Sequence, residues 1–403
     1  MNPTLPALLA AALASPALAQ WSVTILHPQG TPVSQLSSED SSAQVGSIGP
    51  SGFQHAARWN GYASSMTDIH PPNAARSQAA AVDLGDIVGE ELVYPSGSAQ
   101  FHALLWRSGS NTPIDLHPGN ATDSSAYAVS SGRQGGYIYL SQLGYRACIW
   151  SGSAGSCTLI HPAGADYSYV NGMDATSQVG TTVLLGSTNS MASLWHSTAA
   201  SWVNLNPSGA TASAAVGVDA GQQVGEAQFA GRWHAYLWQG TPQSGVDLHP
   251  VPTYIESEAI AVDDGVQVGY TKTGFNSPFH AALWRGSAAT WVDLHSFISP
   301  TYTWSCATGV IHDGPRVRVS GWVGTTFDSR KAIIWTQVVC STADFDGDGD
   351  VGTDADIEAF FACLAGRCCA TCWSGGGDFN GDGDAGTDAD IEAFFRVLAG
   401  QPC

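Results

Sequence analysis

The sequence predicts a mainly β chain, a seven-bladed β-propeller followed by a small α-helical module, and three observations predict it. Short apolar strands close on tryptophan seven times, at Trp59, Trp106, Trp150, Trp195, Trp238, Trp284 and Trp335, at intervals of 47, 44, 45, 43, 46 and 51 residues. A period of about 45 with several short strands per unit is the signature of a propeller. A Leu-His-Pro-like segment and a Gln-Val-Gly-like segment each recur seven times within that period, starting near residues 26 and 44. The last 63 residues leave this period for a second, aspartate-rich one of 34.

Residues 1–19 read as a signal peptide: Pro6 to Ala19 is a short apolar run ending Ala17-Leu18-Ala19 before Gln20. No later run reaches the 18 or so apolar residues of a membrane-spanning helix, so a secreted, extracellular or cell-surface protein is expected. The formal charge is −20, from 34 acids against 14 bases. Nucleic acid is excluded as a natural partner, because phosphate binding needs Lys and Arg.

Residues 20–340 form the propeller. Around residue 234, His234-Ala-Tyr-Leu-Trp238 is followed by Val246-Asp-Leu-His-Pro250, Glu258-Ala-Ile-Ala-Val262 and Gln267-Val-Gly-Tyr-Thr271. These four short alternating runs, bounded by Gly, Pro and Asp, make one antiparallel blade. The last Trp strand has no Leu-His-Pro after it, and the first Leu-His-Pro has no Trp strand before it. The two ends therefore complete one composite blade, which hides the open sheet edges.

His55 and Asp68, His102 and Asp115, His234 and Asp247, and His280 and Asp293 are each 13 residues apart. A two-residue turn at Gly240-Thr241 would set His234 directly opposite Asp247 on one face. Four equivalent copies without a nucleophile point to a framework pair rather than a proton-transfer dyad. A second series, His27, His70, His117, His161, His249 and His295, recurs the same way and reads as repeated packing rather than a metal ring. No Gly-x-Ser-x-Gly, His-Glu-x-x-His or phosphate-loop motif is present. Acids clustered at the loop tips of one rim would favour an enzyme.

His-Ala-x-Leu-Trp, Asp-Leu and Gln-Val-Gly in this order resemble the extracellular HAF-type repeat proteins of bacteria, over about residues 45–340. The chain departs from them in the His-Pro after Asp-Leu. The resemblance implies export and repeat architecture and no defined activity.

Residues 341–403 carry two similar loops, Asp344-Phe-Asp-Gly-Asp-Gly-Asp and Asp378-Phe-Asn-Gly-Asp-Gly-Asp. Oxygen ligands at alternate positions with glycine at the sixth (Gly349, Gly383) converge on a hard cation, and the flexible carboxylates favour calcium, two ions in all. The candidate ligands are Asp344, Asp346, Asp348, Asp350 and Asp356, then Asp378, Asn380, Asp382, Asp384 and Asp390. Asp354 and Asp388 compete with Asp356 and Asp390 to close each loop. Each loop runs into a helix whose Ile357, Phe360, Phe361 and Leu364, or Ile391, Phe394, Phe395 and Leu398, should be buried together.

Two loop-helix units without entering helices resemble a type I dockerin, most closely the cysteine-containing dockerin-like modules of some environmental bacteria, planctomycetes among them. The resemblance implies a cohesin-like or other surface protein as partner, with Thr353, Asp354, Thr387 and Asp388 near the recognition surface. Of nine cysteines, six crowd the tail, where disulfides would staple a small core; Cys148 and Cys157 suit one hairpin bridge, and Cys306 has no evident mate. The expected function is a secreted, surface- or matrix-associated binding protein attached through its calcium-dependent tail, with a possible glycan at the propeller loops. The alternatives are a dockerin-borne propeller hydrolase or lyase acting on polysaccharide, and a self-associating structural surface protein.

Overall fold

A computed structural model describes residues 21–250, 252–313, 316–338, 344–348, 350, 352–369, 372, 376–380 and 384–399. The expected signal segment, Gly349, Asp382, Gly383, Cys340 and Cys403 lie outside the described residues. Seven four-stranded sheets form the blades, six of them built from strands consecutive in sequence. Blade 6, for example, comprises Glu256–Asp263, Val266–Lys272, His280–Trp284 and Val292–Asp293, from inner to outer strand. Blade 7 comprises Trp304–Asp313, Arg316–Gly324 and Lys331–Val338, and the N-terminal strand Trp21–Ile25 completes it from outside. The composite blade expected from the two ends is thus present. We call the side where inner strands begin the upper face and the side where they end the lower face.

Four recurring devices explain the repeat. All seven closing tryptophans are fully buried, and Trp59, Trp106 and Trp335 donate Nε1–H to the carbonyls of Leu26, Ile69 and Leu294 in neighbouring repeats at 3.0–3.1 Å. The glutamines of Gln-Val-Gly hold the turn after the tryptophan: Gln44, Gln134, Gln223 and Gln267 Oε1 accept from the backbone N–H of Gly61, Gly152, Gly240 and Gly286. The glycine of this motif lies against a bulge in the inner strand, where register shifts by one residue. A Cβ on Gly46, Gly89, Gly136, Gly180, Gly225, Gly269 or Gly321 would lie 1.9–2.0 Å from an inner-strand carbonyl oxygen, so only glycine fits.

The fourth device is a serine that no sequence motif marks. Ser34, Ser77, Ser124, Ser168, Ser213, Ser257 and Ser305 are wholly or almost wholly buried near the start of the inner strands. Each Oγ accepts the backbone N–H of the third-strand alanine of an adjacent blade, at 2.8–3.0 Å in all seven, including Ala332 to Ser34 across the composite blade.

The C-terminal module contains α1 (Asp354–Leu364) and α2 (Asp388–Leu398). Each starts with a capping box, Thr353 with Asp356 and Thr387 with Asp390. Phe345, Phe360, Phe379 and Phe394 are fully buried, with the Phe360 and Phe394 rings stacked at 4.1 Å. Phe361 and Phe395 do not join this core as expected; they are 42% and 46% exposed, and their rings lie 6.3 Å apart. Cys363–Cys368 and Cys369–Cys372 are disulfides, whereas Cys148 and Cys157 are free thiols in hydrogen-bond contact.

Candidate functional site

The four histidine–aspartate pairs meet on the upper face. His55, His102 and His234 Nδ1 lie 2.7, 3.1 and 2.8 Å from their aspartates, and His280 lies 3.8 Å from Asp293. The path differs from the expected one. The connection after Trp238 is a 3-10 turn over Pro242–Ser244, not a two-residue turn, and Asp247 sits opposite Tyr236. His234 therefore reaches Asp247 diagonally.

The second histidines stack on the first, with ring centroids 3.7–4.1 Å apart in four blades. Nδ1 of His249 meets Ser257 Oγ at 2.8 Å and Nε2 meets the Tyr254 carbonyl at 3.0 Å. That serine already accepts the Ala235 N–H, so its hydroxyl donates to a neutral imidazole. Blade 5 offers the check: Asn206 replaces histidine there, taking Ser213 on Oδ1 at 2.7 Å and giving Nδ2–H to Ala210 O. Burial holds the pKa of His27, His70, His117, His161, His249 and His295 below its ordinary value. These nitrogens are used within the blades, and the set is a framework.

Acids do cluster on one rim, the lower one, where Asp40, Asp83, Asp174, Asp219 and Asp263 end or follow inner strands. Asp40, Asp83, Asp219 and Asp263 accept backbone N–H groups of Gly85, Ser131, Asp264 and His312 in the next blade. They clasp neighbouring turns together.

Departures from the repeat gather in one register on the upper face, just beyond the motif glycine. The pairs there are Gln35 with Ser47, Gln78 with Glu90, Ser125 with Tyr137, Tyr169 with Thr181, Ala214 with Glu226, and Glu258 with Tyr270. Two polar-aromatic clusters result. In blades 2 to 4, Ser125 Oγ donates to Glu90 and lies 3.3 Å from Tyr137 Oη, and Tyr137 contacts Tyr127, Tyr145 and Tyr169 edge-on or tilted.

The second cluster spans blades 5 to 7. Glu226, on the second strand of blade 5, and Glu258, on the inner strand of blade 6, are both half-buried and interact electrostatically across the blade 5–6 junction. Burial first, and then Glu258 and Glu256, push the Glu226 carboxyl well above the ordinary range. Burial raises Glu258 too, against the hydrogen bond from Tyr270. The pair therefore retains a proton toward neutral pH. Tyr270 packs on Phe279 at 4.4 Å, and Phe279 contacts Trp304, Trp322 and Phe327 at 5.3–6.3 Å. Arg330 lies over Phe327 (4.6 Å) and Trp322 (5.6 Å) and donates to Gln35 Oε1. None of this was legible in the sequence, since no motif names it.

In the tail, Asp344, Asp346 and Asp348 each bring a carboxylate oxygen within 4.8 Å of the others, a donor set that fits a hard cation. Asp350 is exposed beside them, its N–H donating to Asp348 Oδ1. Asp356 is fully buried and turned inward: Oδ1 accepts the N–H of Phe345 and Asp346, and Oδ2 accepts the N–H and hydroxyl of Thr353. Asp390 repeats this with Asn380 and Thr387. Asp354 and Asp388 are exposed in the first turns of the helices. Asp378 is half-buried and Asp384 exposed.

No family model matches the chain, and no curated protein matches it. Solved structures do. The β-propeller domain of the trilobed protease of Pyrococcus furiosus, described as having an open velcro topology, aligns at TM-score 0.50 and 9% identity, covering 77% of this chain and 98% of that one. A manganese complex of oligogalacturonate lyase gives 0.49 and 10%, covering 80% and 97%. A puromycin hydrolase gives 0.48 and 9% over 78% of this chain, which spans only about half (54%) of that one. At such identities the likeness shows the fold alone, a seven-bladed β-propeller; unlike the protease domain, this ring is closed by its N-terminal strand.

Proposed function

We propose that this is a secreted binding protein whose propeller presents the ligand-binding face and whose C-terminal module attaches it, in a calcium-dependent manner, to an extracellular surface partner. The observation that carries the reading is the convergence of Asp344, Asp346 and Asp348 directly before a capped helix. Asp344, Asp346, Asp348 and Asp350 would hold one ion, and Asp378, Asn380, Asp382 and Asp384 the other. Calcium would neutralise loops that otherwise repel themselves and so fix the helices they precede. Asp356 and Asp390 serve as inward struts joining loop to helix. Exposed Phe361 and Phe395, together with exposed Asp354 and Asp388 in the first turns of the same helices, would offer apolar and acidic groups to a cohesin-like partner.

The test is calcium titration of the full chain by calorimetry, with capture on the host's surface fraction in calcium and in chelator. Two bound ions, lost in part with Asp346→Ala, and chelator-sensitive capture are expected. Absence of calcium binding at millimolar concentration would refute the reading. The Glu226–Glu258 pair supports a second reading, a polysaccharide hydrolase or lyase, because carboxyls whose burial favours the protonated form are suited to general acid catalysis. Release of new reducing ends, abolished by Glu226→Gln, would decide for it.

A further inference from the structure

We infer that the upper face of blades 5 to 7 is a binding site for a neutral glycan, with Phe279, Trp304 and Phe327 stacking on sugar faces and Glu226 and Glu258 bonding sugar hydroxyls. The inference rests on the binding-protein reading above and names its ligand. Four aromatic rings in mutual contact, one of them 43% exposed at Phe327, end against a carboxyl pair and the Tyr270 hydroxyl. A pyranose presents this combination, apolar C–H faces ringed by hydroxyls that seek paired acceptors.

Charge selects among sugars. Lys272 is bound to Glu256 at 2.6 Å, and Arg330 is committed to Gln35 and two rings. Lys272 thus offsets Glu256, whereas among the described residues no ion pair reaches Glu226 or Glu258, and a uronate or sulfated glycan would meet repulsion from them. A cationic glycan would displace the proton held by the carboxyl pair; a neutral one uses that proton as a donor.

Function and stability separate here. Two half-buried carboxyls that repel one another at a blade junction destabilise the fold when both ionise. Glu226→Gln keeps the shape and removes the repulsion, so it should raise the unfolding midpoint at pH 8 while weakening glycan affinity about 5-fold. A purely structural glutamate would lower the midpoint and leave binding untouched. Phe327→Ala should weaken binding by about 10-fold or more through lost ring burial.

The experiment is calorimetry of the full chain with neutral hexasaccharides of β-glucan, α-glucan, xylan and mannan, and with polygalacturonate and chitosan oligomers for contrast. It is run in chelator, so failure of calcium-dependent attachment cannot mask the result. Binding of a neutral oligomer, weakened by both variants, is the expected outcome. Binding of none, of polygalacturonate or chitosan alone, or of a neutral oligomer with unchanged affinity in Glu226→Gln overturns the inference. If Phe327→Ala fails to fold, Glu226→Gln decides.

Discussion

Replacing Gly269 by alanine tests the reason for the repeat at its tightest point. The added Cβ would lie 1.9 Å from Glu258 O, 2.9 Å from its carbonyl carbon and 3.1 Å from Ala259 Cα, all backbone atoms that cannot rotate away. Cβ contacts under 3.0 Å are essentially never found, so the inner and second strands of blade 6 must part by about 1 Å, enough to break a ladder hydrogen bond. Overpacking of this kind costs about 1–3 kcal/mol, and one or two broken ladder bonds bring the total to about 2–4 kcal/mol. Gly119 supplies the control, because nothing lies within 4 Å of its added Cβ. Alanine there should be neutral or stabilise by about 0.5 kcal/mol. Urea unfolding followed by tryptophan fluorescence, compared as midpoints, reads the difference. Equal midpoints for Gly269→Ala and Gly119→Ala would refute the close-approach argument for all seven glycines.

Two further outcomes are expected. His249→Asn copies the arrangement already present at Asn206, so it should fold and keep both hydrogen bonds while losing the titration. Because burial lowers the pKa of His249 from 6.5, its contribution is present above that value and lost as pH falls through the lowered one; the variant should lose less stability than the native chain between pH 7.5 and 5, measured by thermal melts. In the tail, Thr387→Ala removes the hydroxyl that receives the Asp390 N–H and donates to its carboxylate at 2.8 Å. The loss should be about 1 kcal/mol, seen as faster amide exchange across α2 with the propeller unchanged.

The propeller was legible because its devices repeat: a tryptophan, a glycine or a histidine every 45 residues or so announces a position in a blade. Even the chain ends could be matched, since each lacked what the other carried. The turn after Trp238 was misjudged because Thr241-Pro-Gln-Ser244 forms a 3-10 turn capped by the Thr241 side chain, a local choice invisible to strand alternation. The serines escaped notice because serine is common in loops, and only sevenfold closure shows each one receiving an adjacent blade's N–H. The upper-face cluster escaped for a related reason. Glu226, Glu258, Trp322 and Arg330 are far apart in sequence, and they stand out only as departures from the repeat in one layer. In the tail, the helical period marked the correct stripe but placed Phe361 and Phe395 inside it; the interface between two short helices is narrower than that stripe, and Cys363 and Ala393 fill its edge instead.

Trp21–Ile25 is the first of the described strands in sequence, yet its sheet is the last of the seven that can be completed. Every other sheet assembles from consecutive strands, so six blades can form locally and quickly as they emerge. The seam instead closes a loop of some 300 residues, an entropic cost of about 5 kcal/mol. Its backbone bonds, Leu26 N–H to Ala332 O at 2.8 Å and Ser34 N–H to Arg330 O at 3.0 Å, form in that single event, with Ala332 N–H reaching Ser34 Oγ at 2.9 Å. Until then the chain is an open arc with a vacant sheet edge at one end and the matching strand at the other. Another arc could accept that strand in its place, so the seam is where crowded chains would exchange ends and become a domain-swapped pair.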